Sequence, residues 1–240
     1  MKKITVNKKE LNFENFVKRP ATEKDFSNLI KEDTILILDD KPILLYFKFQ
    51  DDTSEIVKAC QEIPYETSQR SGGLWSTSRI FGYDPATGIR KPYCSSTALS
   101  FKKPKQHKII TDFGKKIARI YEEYLPEASK NHHGVTKEKI KEEWIIKETP
   151  FSSGIIVAGG YLSLPEYDFG LQCADNTLVM FDGQSILHGV TPMKFFSSNA
   201  YRYSIVYYTL SEMWRCDDLD GELAKVRNRR NKIENRNAKA

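Results

Sequence analysis

Two side chains in the C-terminal half have types and spacing suited to chemistry. His188 lies near the end of an apolar run over residues 185–190, and Arg202 opens another over residues 202–210. A neutral imidazole is a good Fe(II) ligand, and a second imidazole with oxygen ligands usually completes such a site. A guanidinium presents a planar fork that matches a carboxylate bidentately. A histidine followed, after one turn, by an arginine on the next strand can hold a metal and the far carboxylate of a bound diacid. Ser204 shares the strand end with Arg202. The commoner roles are plainer: a histidine beside glycine in a turn, and an arginine solvated at the start of a strand.

The elements that must position this pair are short, β-branched and aromatic runs bounded by Gly, Pro, Asn and Asp, which are strand signals. They cover residues 144–146, 153–157, 161–164, 177–181, 185–190 and 202–210, with a turn over 165–168 in which Glu166 is expected to serve the turn. Upstream, residues 34–38 and 43–49 flank Asp39-Asp40-Lys41-Pro42 and read as a hairpin. Helical spacing marks residues 53–63 and, most clearly, 107–125, which Pro126 closes. Shorter helices are expected over 22–31, capped by Thr22, and over 135–143, capped by Thr136, leaving His132 and His133 in a polar loop. The expected class is α+β, in three parts: a flanking segment over 1–70, a core over 71–216 and a basic tail over 217–240.

The wording of the core is more specific than any spacing. The runs GGYLSLPEYD (159–168), DNTLVMFDGQSILHGVTP (175–192) and YRYSIVYY (201–208) resemble the 2-oxoglutarate/Fe(II) dioxygenases. Within these the chain is most similar to the phage and microbial members of the TET/JBP group, which oxidise methyl groups on pyrimidine bases in DNA. The similarity extends through SRIFGYDPATGIRKPYCSSTAL (78–99) and EWIIKETPFSSGI (143–155). The resemblance implies a double-stranded β-helix of jelly-roll or cupin type with flanking helices. It makes His188 the last iron ligand and Arg202, with Ser204 beside it, the grip on 2-oxoglutarate. It implies DNA carrying 5-methylcytosine or thymine as the substrate, with the base flipped out of the stack to be reached.

One part of the pattern is missing. The family holds iron with His-x-Asp on an early core strand as well as the later histidine. This chain has four histidines, His107, His132, His133 and His188, and none is followed two positions on by Asp or Glu. In relatives that motif lies between segments that nearly touch here, with only Ile155, Ile156, Val157 and Ala158 separating Gly154 from Gly159. The expected β-helix is therefore shortened by a strand pair. Two functions follow as alternatives: a DNA methyl-group dioxygenase, or a DNA-binding module on a degenerate dioxygenase scaffold that no longer turns over.

Residues 65–100 carry Arg70, Trp75, Arg79, Phe81, Tyr83 and Arg90. They read equally as a loop covering one end of the core or as a substrate face, with aromatics stacking on an extruded base and arginines meeting phosphates. The resemblance favours the second reading for Arg79, Phe81 and Tyr83. The end of the chain is basic: between Glu222 and Ala240 there are seven Lys or Arg against two Glu. Such a tail is commonly just solvated, and it can add attraction to phosphates.

Composition sets the remaining bounds. The chain has 240 residues, 40% hydrophobic, with a formal net charge of +5. That supports a real core, and no apolar run is long enough to cross a membrane. The start is basic but has no apolar segment of secretory type. Cys60, Cys94, Cys173 and Cys216 are scattered without zinc spacing, so reduced thiols in a cytoplasmic setting are expected.

Overall fold

The computed structural model describes residues 1–17, 19–69, 75–157, 160–192 and 202–238. The class is α+β, with five α-helices and several sheets among the described residues. No helix among them is long and apolar enough to cross a membrane. The chain forms two compact units, each assembled from three segments. These segments interleave along the sequence.

The first unit comprises Met1–Ser54, Glu66–Ser78 and Val157–Ser204. Strands β1 (Lys2–Thr5) and β2 (Asn28–Ile30) precede a hairpin of β3 (Thr34–Leu38) and β4 (Lys41–Lys48). Leu38 pairs with Lys41, so the loop is Asp39-Asp40, both left-handed with φ of 48° and 61°. Two positive-φ residues are what the twist of a two-residue hairpin requires, and aspartate tolerates them by bonding locally. β4 is buried from Leu44 to Phe47 because β3 and, later, β11 (Thr177–Phe181) pair on its two sides. β1 adds in parallel to β3.

A second sheet in this unit has the order β12-β9-β10-β2, from β9 (Leu162–Leu164), β10 (Phe169–Leu171) and β12 (Gly189–Val190). β9 and β10 are joined by a short turn at Pro165–Tyr167 that ends on Asp168 at φ 63°. β5 (Glu66–Gln69) pairs with the start of β6 (Trp75–Asp84). Leu36, Leu44, Tyr46, Leu164 and Leu171 make the core, and Tyr46 donates its hydroxyl to Gln172 O at 2.6 Å.

The second unit comprises Glu55–Tyr65, Arg79–Ile156 and Ile205–Ala240. It holds most of the helical residues: α1 (Ser54–Gln61), α2 (Ala98–Lys102), α3 (Pro104–Tyr124), α4 (Pro126–Lys139) and α5 (Leu219–Asn237). α3 buries Ile110 and Ile117 of its periodic apolar residues, together with Gly114 and Ala118, while Tyr124 is exposed. In this unit β8 (Ser153–Val157) lies between β6 and β13 (Ser204–Tyr208), and β6 also pairs with β7 (Ser95–Ser96). Gly154 lets the Phe81 ring lie directly on the backbone, since a Cβ there would sit 2.0 Å from Phe81 Cζ.

Several expectations are corrected. Residues 22–31 do not form a helix. Only a turn at Glu23–Asp25 is helical, and β2 follows because its backbone pairs in parallel with β10. Asp25 still accepts the Thr22 N–H at 2.7 Å, so the expected cap position holds without the helix. Pro126 does not merely end α3; it begins α4, a place where a missing N–H costs nothing. α4 takes in the His132-His133 segment, and Thr136 is buried within it with its hydroxyl on Pro150 O at 3.0 Å. Residues 144–146 are no strand; Trp144 ends a single turn, Glu142–Trp144. The basic end is helical through Asn237 and is capped by Asp218, which accepts the Gly221 N–H at 2.8 Å.

The cysteine expectation also changes. Cys94 and Cys216 form a disulfide, their Cα atoms 5.8 Å apart across 122 residues of sequence. Cys60 and Cys173 are free thiols, and burial pushes the Cys60 thiol up to about 12.

The Gly154–Phe81 contact is testable. Phe81 has no exposed surface into which to retreat. Gly154→Ala should lower unfolding stability by about 1–3 kcal/mol, read as a shift in the urea midpoint with an unchanged slope.

Candidate functional site

His188 is held at the end of an irregular segment that follows β11. Asp182 accepts the backbone N–H groups of Gln184 at 3.0 Å and Ser185 at 3.3 Å, together with the Ser185 hydroxyl. Those bonds, the Ser185 hydroxyl foremost, hold its carboxyl below the usual aspartate range. Ile186 anchors the segment in the core. The expected strand over 185–190 is thus only Gly189–Val190, because residues 182–186 spend their backbone donors on this turn.

Glu166 fixes the next residue. It is 1% exposed, accepts the Leu187 N–H at 2.7 Å and pairs with the Lys8 ammonium at 2.9 Å. His188 then donates from Nδ1 to Ile186 O at 2.9 Å, which in the neutral ring leaves the lone pair on Nε2. Phe181 meets the imidazole edge-on with ring centroids 5.0 Å apart. Gly189 and Val190 pair with Ser163 and Leu162, so the backbone on both sides of His188 is pinned.

A cavity of about 60 Å³ opens beside the imidazole, lined by Phe16, Arg19, Asp25, Ser163, Leu187 and His188 among others. Arg19 grips Asp25 through two bonds of 2.8 Å and lies over the Phe16 ring at 5.0 Å. That grip holds the Asp25 carboxyl below its ordinary value. Ser163 Oγ is fully buried and has no hydrogen-bond partner among the described residues.

Arg202 and Ser204 belong to the same unit. Arg202 donates from Nη1 to Gly160 O and from Nη2 to Ser204 Oγ at 3.1 Å. Gly160 N–H in turn donates to Thr191 O at 2.7 Å, and Tyr161 N–H donates to Thr191 Oγ1 at 2.9 Å. One pairing, residues 160–163 against 189–191, therefore carries His188 at one end and braces Arg202 at the other. Among the described residues these bonds use two of its five guanidinium N–H groups.

The iron ligands that the resemblance implies are not met. His188 is the sole histidine in the sequence of its unit. Among the described residues, the one grouping of three or more His, Cys, Asp or Glu able to hold a metal is Cys94, Cys216 and Glu222. The described residues do not fit a two-histidine, one-carboxylate iron site.

The expected nucleic-acid residues lie in the second unit or outside the described set. Phe81 has no exposed surface and packs edge-on against Tyr207 at 5.2 Å. Arg79 is 4% exposed. Tyr83 packs edge-on against Trp144 at 5.6 Å, and burial pushes its hydroxyl up. Arg79 and Phe81 are buried, and Tyr83 is partly buried. Arg70 and Gly159 lie outside the described residues, as do the side chains of Trp75 and Arg90. His107 is partly buried and accepts the Gly82 N–H on Nε2 at 3.2 Å. His132 contacts the Tyr121 and Phe151 rings, with Nε2 2.9 Å from Thr209 Oγ1.

Among solved structures, NgTET1 in complex with 5mC DNA matches with a TM-score of 0.56 at 10% identity, over 83% of this chain and 86% of that one. No family model matches the sequence. No curated protein matches it either. The likeness shows a TET-like fold.

The two partly buried imidazoles give the second unit a signed pH dependence. Burial lowers both folded pKa values below the ordinary 6.5. Well above that value both states are neutral and the packing contributes in full. As pH falls through about 6.5 the unfolded chain binds protons first, so stability declines toward the folded values. The melting temperature should drop between about pH 7 and pH 5. His132→Phe should flatten that decline, and an unchanged slope would show that His132 is not its source.

Proposed function

We propose that this chain is a DNA-binding protein on a TET-like scaffold whose described residues do not assemble an iron centre. The observation that carries this reading is the fold likeness to DNA-bound NgTET1 across most of both chains. The double-stranded β-helix belongs to the same proposal, as does a cytoplasmic setting. With direct readout unassigned, affinity is expected from phosphate contacts, which are electrostatic and salt-sensitive.

α5 supplies the charge. Lys225, Arg229, Lys232 and Arg236 recur at helical spacing and fall on one face. The first two are engaged, Lys225 with Asp217 and Glu222 and Arg229 with Ile89 O. Lys232 and Arg236 are exposed and lie near the end of the helix.

A second reading is favoured by one observation, the shared pairing that carries His188 and braces Arg202. It makes the chain a dioxygenase acting on 5-methylcytosine or thymine in DNA, with 2-oxoglutarate at Arg202 and Ser204 and iron at His188. The missing ligands weigh against it, so no catalytic step is derived.

Fluorescence anisotropy on duplexes with and without 5-methylcytosine tests the proposal. Binding should weaken steeply with salt without added iron or 2-oxoglutarate. The double variant Lys232→Glu, Arg236→Glu should lower the slope of log affinity against log salt by about 2. Salt-independent binding, or an affinity indifferent to the double variant, would overturn it.

A further inference from the structure

We infer that Cys94, Cys216 and Glu222 form a second site with two states, a disulfide when oxidised and a thiophilic divalent-metal site of the zinc class when reduced. The two sulfurs and a Glu222 oxygen lie within 4.8 Å of one another, and all three residues are buried. On a tetrahedral ion with bonds of ~2.3 Å, two thiolates stand ~3.8 Å apart. The cluster therefore needs only modest separation of the sulfurs once their bond is cut.

Glu222 is already aimed. Its Oε2 accepts the Cys94 N–H at 2.8 Å, and its Oε1 accepts the Asp217 N–H at 2.8 Å and the Lys225 ammonium at 2.8 Å. A carboxylate has about four lone-pair sites, so three donors orient it and one site remains. Such outer bonds are what hold a metal ligand in place. Lys225, which also pairs with Asp217, puts a cation against the Glu222 carboxylate. Nothing about the His188 site enters this inference, and it does not depend on DNA binding.

The reductive step balances with a water-soluble phosphine. Phosphorus takes an oxygen atom from water to become the phosphine oxide, two electrons cleave the Sγ–Sγ bond, and the two protons of that water finish on the sulfurs. Each thiol then gives its proton to solvent as its thiolate takes the metal, so two protons leave per ion bound. A reducing compartment would maintain the thiol state.

The experiment reduces the full chain anaerobically with phosphine, removes the phosphine and titrates Co²⁺ as the probe. One equivalent should produce thiolate-to-cobalt charge transfer and the visible bands of a tetrahedral ion, bleached by Zn²⁺. The oxidised chain should give neither. Cys60→Ser with Cys173→Ser should keep the bands, whereas Glu222→Gln should weaken binding by about 10-fold or more. A second readout needs no variant: Zn²⁺ should shield Cys94 and Cys216, but not Cys173, from alkylation, read by peptide mass spectrometry. A disulfide that resists phosphine in the folded chain would overturn the inference. So would cobalt bands that vanish with Cys60 and Cys173, or equal alkylation with and without zinc.

Discussion

A buried carboxylate governs the region around His188. Glu166 is almost wholly removed from water, where a carboxylate needs hydrogen bonds and a paired charge. Lys8 answers its charge from one side, and the Leu187 N–H occupies it from the other. Both partners come from distant segments, so the pairing ties the first strand region, the β9–β10 turn and the approach to His188 together. With Leu187 fixed, Gly189 and Val190 fall into register with β9, and the imidazole is left with one nitrogen spent on its own backbone. The order around His188 follows from that neutralisation.

The same geometry separates fold from chemistry. The pairing that holds His188 also braces Arg202 through Gly160 and Thr191. A facial triad needs more than position; it needs a second imidazole and a carboxylate converging on one point. The cavity beside His188 has its carboxylate in Asp25, but Arg19 holds both of its oxygens. The scaffold of a TET-like protein is thus retained where residues support the sheet, and the described residues fall short where they would have to hold a metal. Function is carried by sites rather than by folds.

What could be read from the sequence was local. The Asp39-Asp40 turn and the hairpin around it follow from backbone preferences of a few residues, and α3 follows from its apolar stripe. His188 and Arg202 stood out because the surrounding wording resembled a family. What could not be read was set at long range. Residues 28–30 become a strand because β10, some 140 residues on, offers them a partner, as the Asn28–Asp168 bonds record. Cys94 meets Cys216 across 122 residues, a pairing that spacing does not encode. Arg79 and Phe81 carry residue types of a nucleic-acid face yet are buried, and no local signal in the sequence foretells that.

The most direct test of the central claim is an anaerobic titration of the purified chain with Fe(II) and 2-oxoglutarate, followed by visible absorption. The account predicts no saturable iron-to-oxoglutarate charge-transfer band from a protein that melts cooperatively. A band that saturates at one iron per chain and disappears in His188→Ala would contradict it.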